Sequence, residues 1–462
     1  MFNRRILELP FYLPAVQAFR HLTGSLKCAF LDSSLSNNLG RYSIIGIQPY
    51  LKLVKNADGF FVNDQPETEL SFEDYLRRYL SDHIDKNETD LPIVSGAIGY
   101  FSYDYGRRLQ GVPSCQAAYA EIPDAALTFY DAFLIEDTLE QKTFLTANGI
   151  TESADTYLTH LRSLLSKNDF LNQHADVPTC NLSASATPVT VTPNFEKEEY
   201  KYTVDRMIQY IIEGDIYIAN MTQRLSIACA KPPLDLFFSL RDSNPSPFGA
   251  YLDYDDFQIV CASPERFLQM KNGHVQTRPI KGTRKRGATP EEDLLMRREL
   301  EQSEKDKSEL LMIVDLERND LNRVCRPGSV KVTELFTVEE YATVFHLVSN
   351  VEGDLLPDKT VVDLLESAFP GGSITGAPKY RAMEIIDELE RGQRGLYTGS
   401  IGYLTLDNCC DFNIVIRTAL YQDGVYHLGV GGGITAESEL EFEYEETLQK
   451  AKALLDAMQR PL

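Results

Sequence analysis

Hydrophobic residues in the first half of the chain follow two different spacings. GRYSIIG (40–46) and PIVSGAIGYFSYD (92–104) are β-branched and aromatic runs bounded by Gly and Pro, whereas TESADTYLTHLRSLLSKN (151–168) places apolar residues three and four positions apart. The first pattern is typical of strands and the second of an amphipathic helix. We therefore predict a mixture of strands and helices.

A stretch of different composition follows at 172–194. It reads NQHADVPTCNLSASATPVTVTPN, rich in Ser, Thr, Ala and Pro and nearly uncharged. Such composition is typical of a surface connection. We predict an N-terminal subdomain at 1–171, a linker at 172–194 and a C-terminal domain at 195–462.

The second half alternates helices with groups of strands. Apolar spacing predicts helices at 195–215, from Glu291 to about Leu321 with a possible interruption, and near the carboxyl end. Between them, runs such as GAYLDYDDFQIVCASPERFLQM, LYTGSIGYLTL, DFNIVIRTALYQDG and VYHLGVGGGI predict strands, several joined by tight turns. Strand groups with helices clustered elsewhere indicate an α+β fold.

Charge and cysteine content narrow the function classes. The 45 Lys and Arg against 68 Asp and Glu give a net charge of −23, which argues against nucleic acid or an anionic membrane as partner. No apolar run approaches the roughly 18 residues of a membrane span, and Glu8, Pro10 and Pro14 interrupt the start of the chain. Eight cysteines without a CxxC pair argue against zinc and for reduced thiols. We expect a cytoplasmic protein.

Two pairs of carboxylates stand three residues apart on predicted helices. Asp306 and Glu309 form one pair, and Glu443 and Glu446 the other. This spacing puts each pair on one helix face, and four such carboxylates suit a hard divalent ion such as Mg²⁺. The alternative is two solvated acidic faces, which a chain this acidic produces by chance.

A basic run, TRPIKGTRKRG (277–287), stands out in this acidic chain. It contains Lys281, which is a candidate nucleophile, and it is a candidate site for an anion. Glu265, in SPERF, is a candidate acid or base if its strand lies beside that of Lys281. The alternatives are a solvated basic turn and a surface carboxylate.

Four other features were candidates for substrate binding. PGGSITGAPK resembles a phosphate-binding loop, but Lys379 lies three positions after the place that the pattern GxxxxGK requires. The backbone N–H groups of GVGGGI (429–434) could bind a carboxylate. His346 lies in an apolar run, a pattern that by itself favours a core histidine. Arg417 falls inside a predicted strand, where a guanidinium needs an anion.

These motifs occur in an order that resembles the chorismate-utilising enzymes. The resemblance rests on SPERF, PIKGT, SELLMIVDLERNDL, FPGGSITGAPK, YTGSIGY, IRTA, GVGGGI and EYEETLQKA, and it spans residues 196–462, with thinner support from the first half. It implies that 195–462 is the chorismate-binding catalytic domain. It also implies an α+β fold in which two antiparallel β-sheets form a sandwich with helices on the outside.

The resemblance also implies roles for individual residues. Two sets of residues would contact the ring side of chorismate, the first through Mg²⁺ and the second directly. The metal set is Glu309, Glu446, Asp306 and Glu443, and the ring-carboxylate set is Gly431, Gly432, Gly433, Thr375 and Lys379. Tyr397 and Arg417 would bind the enolpyruvyl carboxylate, and His346 would lie near the ring.

One position favours a branch of the family. Anthranilate synthases generally read PIAGT where this chain reads PIKGT, and a lysine here resembles the aminodeoxychorismate synthases. The expected reaction is amination of chorismate at C4 by ammonia to 4-amino-4-deoxychorismate, the precursor of 4-aminobenzoate and folate. Lys281 would add to the ring and Glu265 would protonate the departing hydroxyl. The alternatives are an anthranilate synthase component I and a noncatalytic chorismate-binding protein.

Three further expectations follow from the resemblance. Ile218 stands where isochorismate synthases carry a water-activating lysine and the aminating enzymes usually a glutamine, so isochorismate synthesis is not expected. FLDSS (30–34) keeps only part of the tryptophan-binding motif of anthranilate synthases, so tryptophan control is not expected either. The chain has no glutaminase motif, which implies a glutamine amidotransferase subunit as protein partner.

Overall fold

The computed structural model describes residues 3–35, 37, 39–165, 188–341 and 344–460. Within these ranges the chain forms eleven α-helices, and a 3₁₀ turn at Gly372–Ile374. The helices are α1 Ala15–Leu22, α2 Phe72–Asp82, α3 Tyr103–Leu109, α4 Ala154–Leu165, α5 Lys197–Ile212, α6 Pro233–Ser243, α7 Pro290–Gln302, α8 Glu304–Asn322, α9 Val361–Ala368, α10 Lys379–Leu389 and α11 Leu440–Gln459.

The same ranges contain twenty-two β-strands, and every strand pair is antiparallel. The strands are β1 Arg5–Glu8, β2 Cys28–Asp32, β3 Tyr42–Lys55, β4 Phe60–Val62, β5 Gln65–Glu67, β6 Gly96–Phe101, β7 Ala125–Asp137, β8 Lys142–Ala147, β9 Val189–Pro193, β10 Ile218–Cys229, β11 Phe248–Asp253, β12 Phe257–Ser263, β13 Arg266–Lys271, β14 His274–Thr277, β15 Ile280–Lys285, β16 Lys331–Glu340, β17 Val344–Asp354, β18 Gly376–Ala377, β19 Ser400–Thr405, β20 Cys410–Asn413, β21 Thr418–Gln422 and β22 Val425–Ile434.

Apart from β18, which pairs with the start of β10, the strands form two sheets that share β3 and β7. One sheet runs β9, β10, β22, β21, β12, β11, β2, β3, β7, β8, β1. The other runs from β16 and β17 through β15 and β14 to β13, β20, β19, β6, β7, β3, β4 and β5. The pairing of β3 with β7 shifts register between Pro49 and Leu51, and a bulge there lets both strands turn from one sheet into the other.

Three groups of buried apolar side chains fill this arrangement. One lies between the sheets and includes Ile98 and Ile401 from one sheet and Ala250 and Ile259 from the other. The second lies on the outer face of the sheet that contains β10 and β2, beneath the helices α1, α4, α6 and α11. The third covers the other sheet with α2, α3, α5, α8, α9 and α10. The predicted α+β sandwich with helices outside is therefore confirmed.

Local sequence signals explain several boundaries. The acidic helix predicted from Glu291 is interrupted at Ser303, whose hydroxyl accepts a hydrogen bond from the N–H of Asp306 and caps α8. The similar sequences GAIGY and GSIGY form β6 and β19, which pair with Gly99 opposite Gly402.

The predicted linker at 172–194 falls largely outside the described residues. Its last part forms β9, which pairs with β10 from Leu225 to Cys229. Strands of the first 171 residues pair with strands of the C-terminal part at two places, β2 with β11 and β6 with β19.

Candidate active site

The predicted site residues meet where β22 of one sheet faces β15 of the other. A methyl group placed on Gly433 of β22 would lie 3.4 Å from Lys281 Nζ on β15, 3.4 Å from Ile218 Cδ1 on β10 and 3.8 Å from Glu309 Oε2 on α8. The glycine therefore leaves a space that four elements surround. Ile218 presents an apolar side chain to this space beside the amine.

Lys281 and Glu265 are joined through one residue, Ser373. Lys281 Nζ donates to the carbonyl oxygen of Ser373 at 3.2 Å, and the Ser373 hydroxyl donates to Glu265 Oε1 at 2.9 Å. Glu265 is buried in the connection between β12 and β13, and burial raises the pKa of its carboxyl above the usual value, an effect that Lys281 opposes. An amine and a carboxyl that can hold a proton thus lie on one side of the space.

Three glutamates approach the glycines from the helices. A methyl group on Gly432 would lie 2.6 Å from Glu446 Oε2 and 3.1 Å from Glu443 Oε2, so a larger residue here would displace the Glu446 carboxylate. Burial raises the pKa values of Glu309 and Glu443, and Lys281 opposes the shift at Glu309. The carboxylates therefore crowd one another across α8 and α11.

Asp306 is placed differently from the other three carboxylates. Its Oδ2 accepts a hydrogen bond from the guanidinium of Arg284 at 3.1 Å. Within the described ranges, no group of three or more His, Cys, Asp or Glu side chains is arranged to hold a metal ion. The hard oxygens of Glu309, Glu443 and Glu446 suit Mg²⁺ only as an open site, in which water and substrate oxygens complete the coordination.

The backbone of β22 is accessible along one edge of the triglycine. Its pairing with β21 ends at Leu428, whereas its pairing with β10 continues to Ile434. In the described part of the chain, Gly431–Gly433 thus have a strand neighbour on one side only. N–H groups on the other side are available to an anionic ligand.

His346 is buried at 3% exposure on β17 and bonds to the neighbouring strand. Its Nδ1 lies 2.9 Å from the hydroxyl of Thr283, and its ring meets that of Tyr341 edge to face. Burial, aided by the charge of Arg417, lowers the pKa of His346 to about 3. The imidazole is therefore neutral at ordinary pH.

Arg417 lies in a break between strands, and its expected position inside a strand is wrong. The predicted run 411–424 divides into β20 and β21, and Arg417 precedes β21 with a φ of 51°. No hydrogen-bond acceptor or ion-pair partner of its guanidinium is found among the described residues. Its charge acts on both Glu265 and His346. An arginine without an internal anion is suited to bind a carboxylate.

Tyr397 reaches the same region from the segment before β19. Its ring lies against Gly429, where a methyl group would stand 2.2 Å from Cγ of the tyrosine. Burial raises the pKa of its hydroxyl, and the charge of Arg394 opposes that shift. The hydroxyl is therefore a hydrogen-bond donor over the whole ordinary pH range.

Thr375 and Lys379 are bonded within the protein. The Thr375 hydroxyl donates to the carbonyl oxygen of Gly371 at 2.8 Å. Lys379 Nζ donates to Asp320 Oδ2 at 2.6 Å and to the carbonyl oxygen of Ala368 at 2.8 Å. These bonds leave the ammonium of Lys379 little capacity for a ligand.

The basic run at 277–287 is largely neutralised by the protein itself. Arg278 pairs with Glu334 and Glu339, Arg284 with Glu299 and Asp306, and Arg286 with Asp293. The expectation of an anion site formed by the whole run is therefore wrong.

Two residues of the site were missed in the sequence analysis. Ser373 links Lys281 to Glu265, yet a serine between glycine and isoleucine resembles any turn residue. Lys450 Nζ donates to the carbonyl oxygen of Gly431 at 2.7 Å and lies 3.3 Å from Glu446 Oε2. Its spacing of four from Glu446 on α11 was an available signal.

A cavity of about 220 Å³ lies elsewhere and is lined by none of the predicted site residues. It is bordered by Asp32 and Ser33 of the FLDSS segment, by Arg266 and Gln269, and by Tyr403. Asp32 accepts a hydrogen bond from Arg241, and burial raises the pKa of its carboxyl to about 6. The predicted site residues thus lie apart from this cavity.

Fold and site together define an α+β sandwich protein in which an amine and several carboxylates converge on the glycines of β22. Residues 28–456 match the model of the chorismate binding enzymes, and the chain belongs to that family. Aminodeoxychorismate synthase component 1 of Bacillus subtilis is 38% identical over 461 residues, which cover 98% of this chain and 96% of that protein. Anthranilate synthase component 1 of Acetivibrio thermocellus is 38% identical over 448 residues, which cover 94% and 90%.

A solved structure supports the same assignment. The crystal structure of anthranilate synthase component I from Streptococcus pneumoniae superimposes with a TM-score of 0.79 at 30% identity, covering 91% of this chain and 93% of that one. Within the described ranges, none of the helices has the length and apolar character needed to cross a membrane.

Proposed function

We propose that this chain aminates chorismate at C4 with ammonia and forms 4-amino-4-deoxychorismate. The observation that carries the proposal is the link from the Lys281 amine through Ser373 to the Glu265 carboxyl, beside the space at Gly433. A lysine at this position resembles the aminodeoxychorismate synthases. Relatives of both the aminodeoxychorismate and the anthranilate type match this chain at 38% identity, so the lysine is what favours C4.

The proposed mechanism divides the substitution into two steps. The unprotonated amine of Lys281 adds at C2, the ring double bond shifts, and the C4 hydroxyl leaves as water with a proton from Glu265. Ammonia then adds at C4, the double bond returns, and the C2–nitrogen bond breaks to release Lys281. One proton of the incoming ammonia returns to Glu265, so the net change is chorismate plus ammonia to product plus water.

Other groups of the site would bind and orient the substrate. Arg417 and the Tyr397 hydroxyl would bind the enolpyruvyl carboxylate, and the open edge of Gly431–Gly433 would donate N–H groups to the ring carboxylate. Glu309, Glu446 and Glu443 would hold Mg²⁺, with Asp306 available only if it leaves Arg284. The metal would supply positive charge against the ring carboxylate and so offset the crowding of the three glutamates.

Ammonia would come from a glutamine amidotransferase subunit. The relatives named component 1 support a two-component enzyme, and a cytoplasmic location fits a pathway from chorismate to 4-aminobenzoate and folate. Without that subunit, the chain would need added ammonium.

Product analysis tests the proposal. The chain is incubated with chorismate, Mg²⁺ and ammonium at mildly alkaline pH, and a 4-amino-4-deoxychorismate lyase is added to half of each sample. Formation of 4-aminobenzoate only with the lyase would support amination at C4. Anthranilate and pyruvate formed without the lyase would instead make the chain an anthranilate synthase, and chorismate binding without turnover would make it a noncatalytic binding protein.

A further inference from the structure

Glu317 is a buried carboxyl group that no step above uses. It lies on α8, eight residues after Glu309 and about two helical turns along. Its residue exposure is 8%, and no basic side chain lies within ion-pair distance of its carboxyl group in the described part of the chain. An isolated carboxylate in such a place is costly.

The two contacts of the Thr277 hydroxyl favour a protonated Glu317. The Thr277 hydroxyl lies 2.7 Å from the carbonyl oxygen of Phe267 and 3.1 Å from Glu317 Oε2. A hydroxyl has one hydrogen, and a carbonyl oxygen can only accept. Because the shorter contact uses the threonine hydrogen, the contact with Glu317 requires a hydrogen from the glutamate.

The charges around Glu317 lead to the same conclusion. Three carboxyl groups belong to the cluster, namely those of Glu317, Glu265 and Asp320. The charges of Lys281, Lys450 and Arg417 act on Glu265, and those of Lys379 and Arg323 act on Asp320. Lys379 is bonded to Asp320, and Lys281 acts on Glu265. Glu317 has no ion-pair partner of its own among the described residues. Burial raises its pKa well above the usual 4.5, Glu265 and Asp320 add to the shift, and the charge of Lys379 opposes it.

We propose that Glu317 is a positioning residue that stays protonated, bonds through Thr277 to β13 and, being neutral, leaves Glu265 free to give up its proton. A second negative charge beside Glu265 would make that proton harder to release. The protonation state of Glu317 does not depend on the reaction, whereas its effect on Glu265 rests on the proposed function.

Infrared difference spectroscopy tests the protonation state directly. Wild-type protein and a Glu317→Gln variant are compared at neutral pH. We expect the variant to lose intensity in the carbonyl band of a protonated carboxylic acid. A loss in the carboxylate bands instead would overturn the proposal.

Stability against pH is an independent readout. A carboxyl that holds its proton in the folded state and loses it in the unfolded chain destabilises the fold progressively as pH rises above 4.5. The unfolding temperature of Glu317→Gln relative to wild type should therefore rise with pH. Glu304→Gln, an exposed change on the same helix, is the control and should show no such rise. A flat difference for Glu317→Gln would contradict a protonated glutamate.

The effect on Glu265 is read from the pH dependence of kcat with added ammonium. If Glu317 were an anion, its replacement by glutamine would move the midpoint of the kcat–pH profile, which reports Glu265, to lower pH. If Glu317 is neutral, the replacement leaves that midpoint in place. We expect Glu317→Gln to keep the wild-type midpoint even if the rate falls, and a shifted midpoint would refute the proposed role. If wild type forms no 4-amino-4-deoxychorismate, the proposed function fails, but the infrared and stability results still decide the state of Glu317.

Discussion

Ser373 brings the two candidate catalytic groups together through opposite ends of one residue. Its carbonyl oxygen accepts from Lys281, and its hydroxyl donates to Glu265. A change in the 3₁₀ turn at Gly372–Ile374 would therefore move the amine and the carboxyl together. The pair is held at fixed geometry, as general acid catalysis requires.

Replacing Lys281 by Ala tests the covalent step. We expect amination at C4 to fall by at least roughly 1000-fold, because the nucleophile is removed. The measurement is 4-aminobenzoate formation in the lyase-coupled assay. Lys285→Ala, an exposed lysine on the same strand, is the control and should leave the rate unchanged. Full amination by the Lys281 variant would exclude a covalent intermediate.

His346 gives a prediction on acid stability. Its folded pKa of about 3 lies below its usual 6.5, so the unfolded chain binds the proton first and stability is lost as pH falls through this window. His346→Gln should therefore show a smaller drop in unfolding temperature between neutral and acidic pH than wild type. His83, which is exposed and stacks on Tyr79, provides the matched variant His83→Gln. Equal acid sensitivity in all three proteins would contradict a buried neutral imidazole.

Sequence reasoning found chemistry-bearing residues better than it found their partners. Lys281 and Glu265 were singled out by residue type and by the family resemblance. The ion pairs of Asp306 with Arg284 and of Lys379 with Asp320 join residues 22 and 59 positions apart, and no local pattern encodes such contacts. Ser373 was missed for the same reason, because its role depends on two other segments.

At the scale of elements, β22 combines two tasks in three glycines. Gly432 admits Glu446 and Glu443 from α11, and Gly433 leaves the space beside Lys281. Successive residues of a strand face opposite sides, so one strand can contact the helix and the substrate space at once. The sequence predicts the triglycine as a binding segment because of its N–H groups. Its steric role was not predictable, because it depends on where α8 and α11 lie.

Gly432→Ala tests this steric role. The added methyl would stand 2.6 Å from Glu446 Oε2, so the carboxylate must move. We expect kcat to fall about 100-fold through displacement of the site, with a smaller effect on the unfolding temperature. Gly59→Ala is the control, since its methyl would meet only the ring of Phe61, at 3.4 Å. Wild-type kcat in the Gly432 variant would show that Glu446 can move without cost.

Most predicted elements are present, and the differences have local causes. The spacing of apolar residues identified α4, α5, α8 and α11 because their buried faces are regular. The β-branched residues of the run 411–424 predict one strand, yet Arg417 at positive φ divides it. The pattern of hydrophobic residues does not indicate such a break.

At the scale of the whole molecule, an acidic chain surrounds a space for an anionic substrate. The net charge of −23 repels a dianionic ligand, so binding of such a ligand depends on local cations and backbone N–H donors. The α+β class followed from sequence pattern, whereas the sandwich followed from the family resemblance. The sharing of β3 and β7 by both sheets was not predictable, because it depends on register.

The source of nitrogen gives a prediction for the whole protein. We expect the isolated chain to form 4-amino-4-deoxychorismate with ammonium but not with glutamine, since the sequence carries no glutaminase motif. Adding a glutamine amidotransferase subunit should make glutamine a substrate. The assay compares the two nitrogen sources at equal concentration, with and without that subunit. Turnover of glutamine by the isolated chain would contradict the expectation that a separate subunit releases ammonia from glutamine.

The pairings of β2 with β11 and of β6 with β19 bear on dissecting the chain into fragments. A fragment starting at 195 would lose β2 beside β11, β6 beside β19 and β9 beside β10. It would expose three bare strand edges, which invite aggregation. Separately produced halves would instead offer each other complementary edges. The chain is therefore a natural candidate for a split reporter, in which recovered turnover of chorismate reports that the two halves have associated.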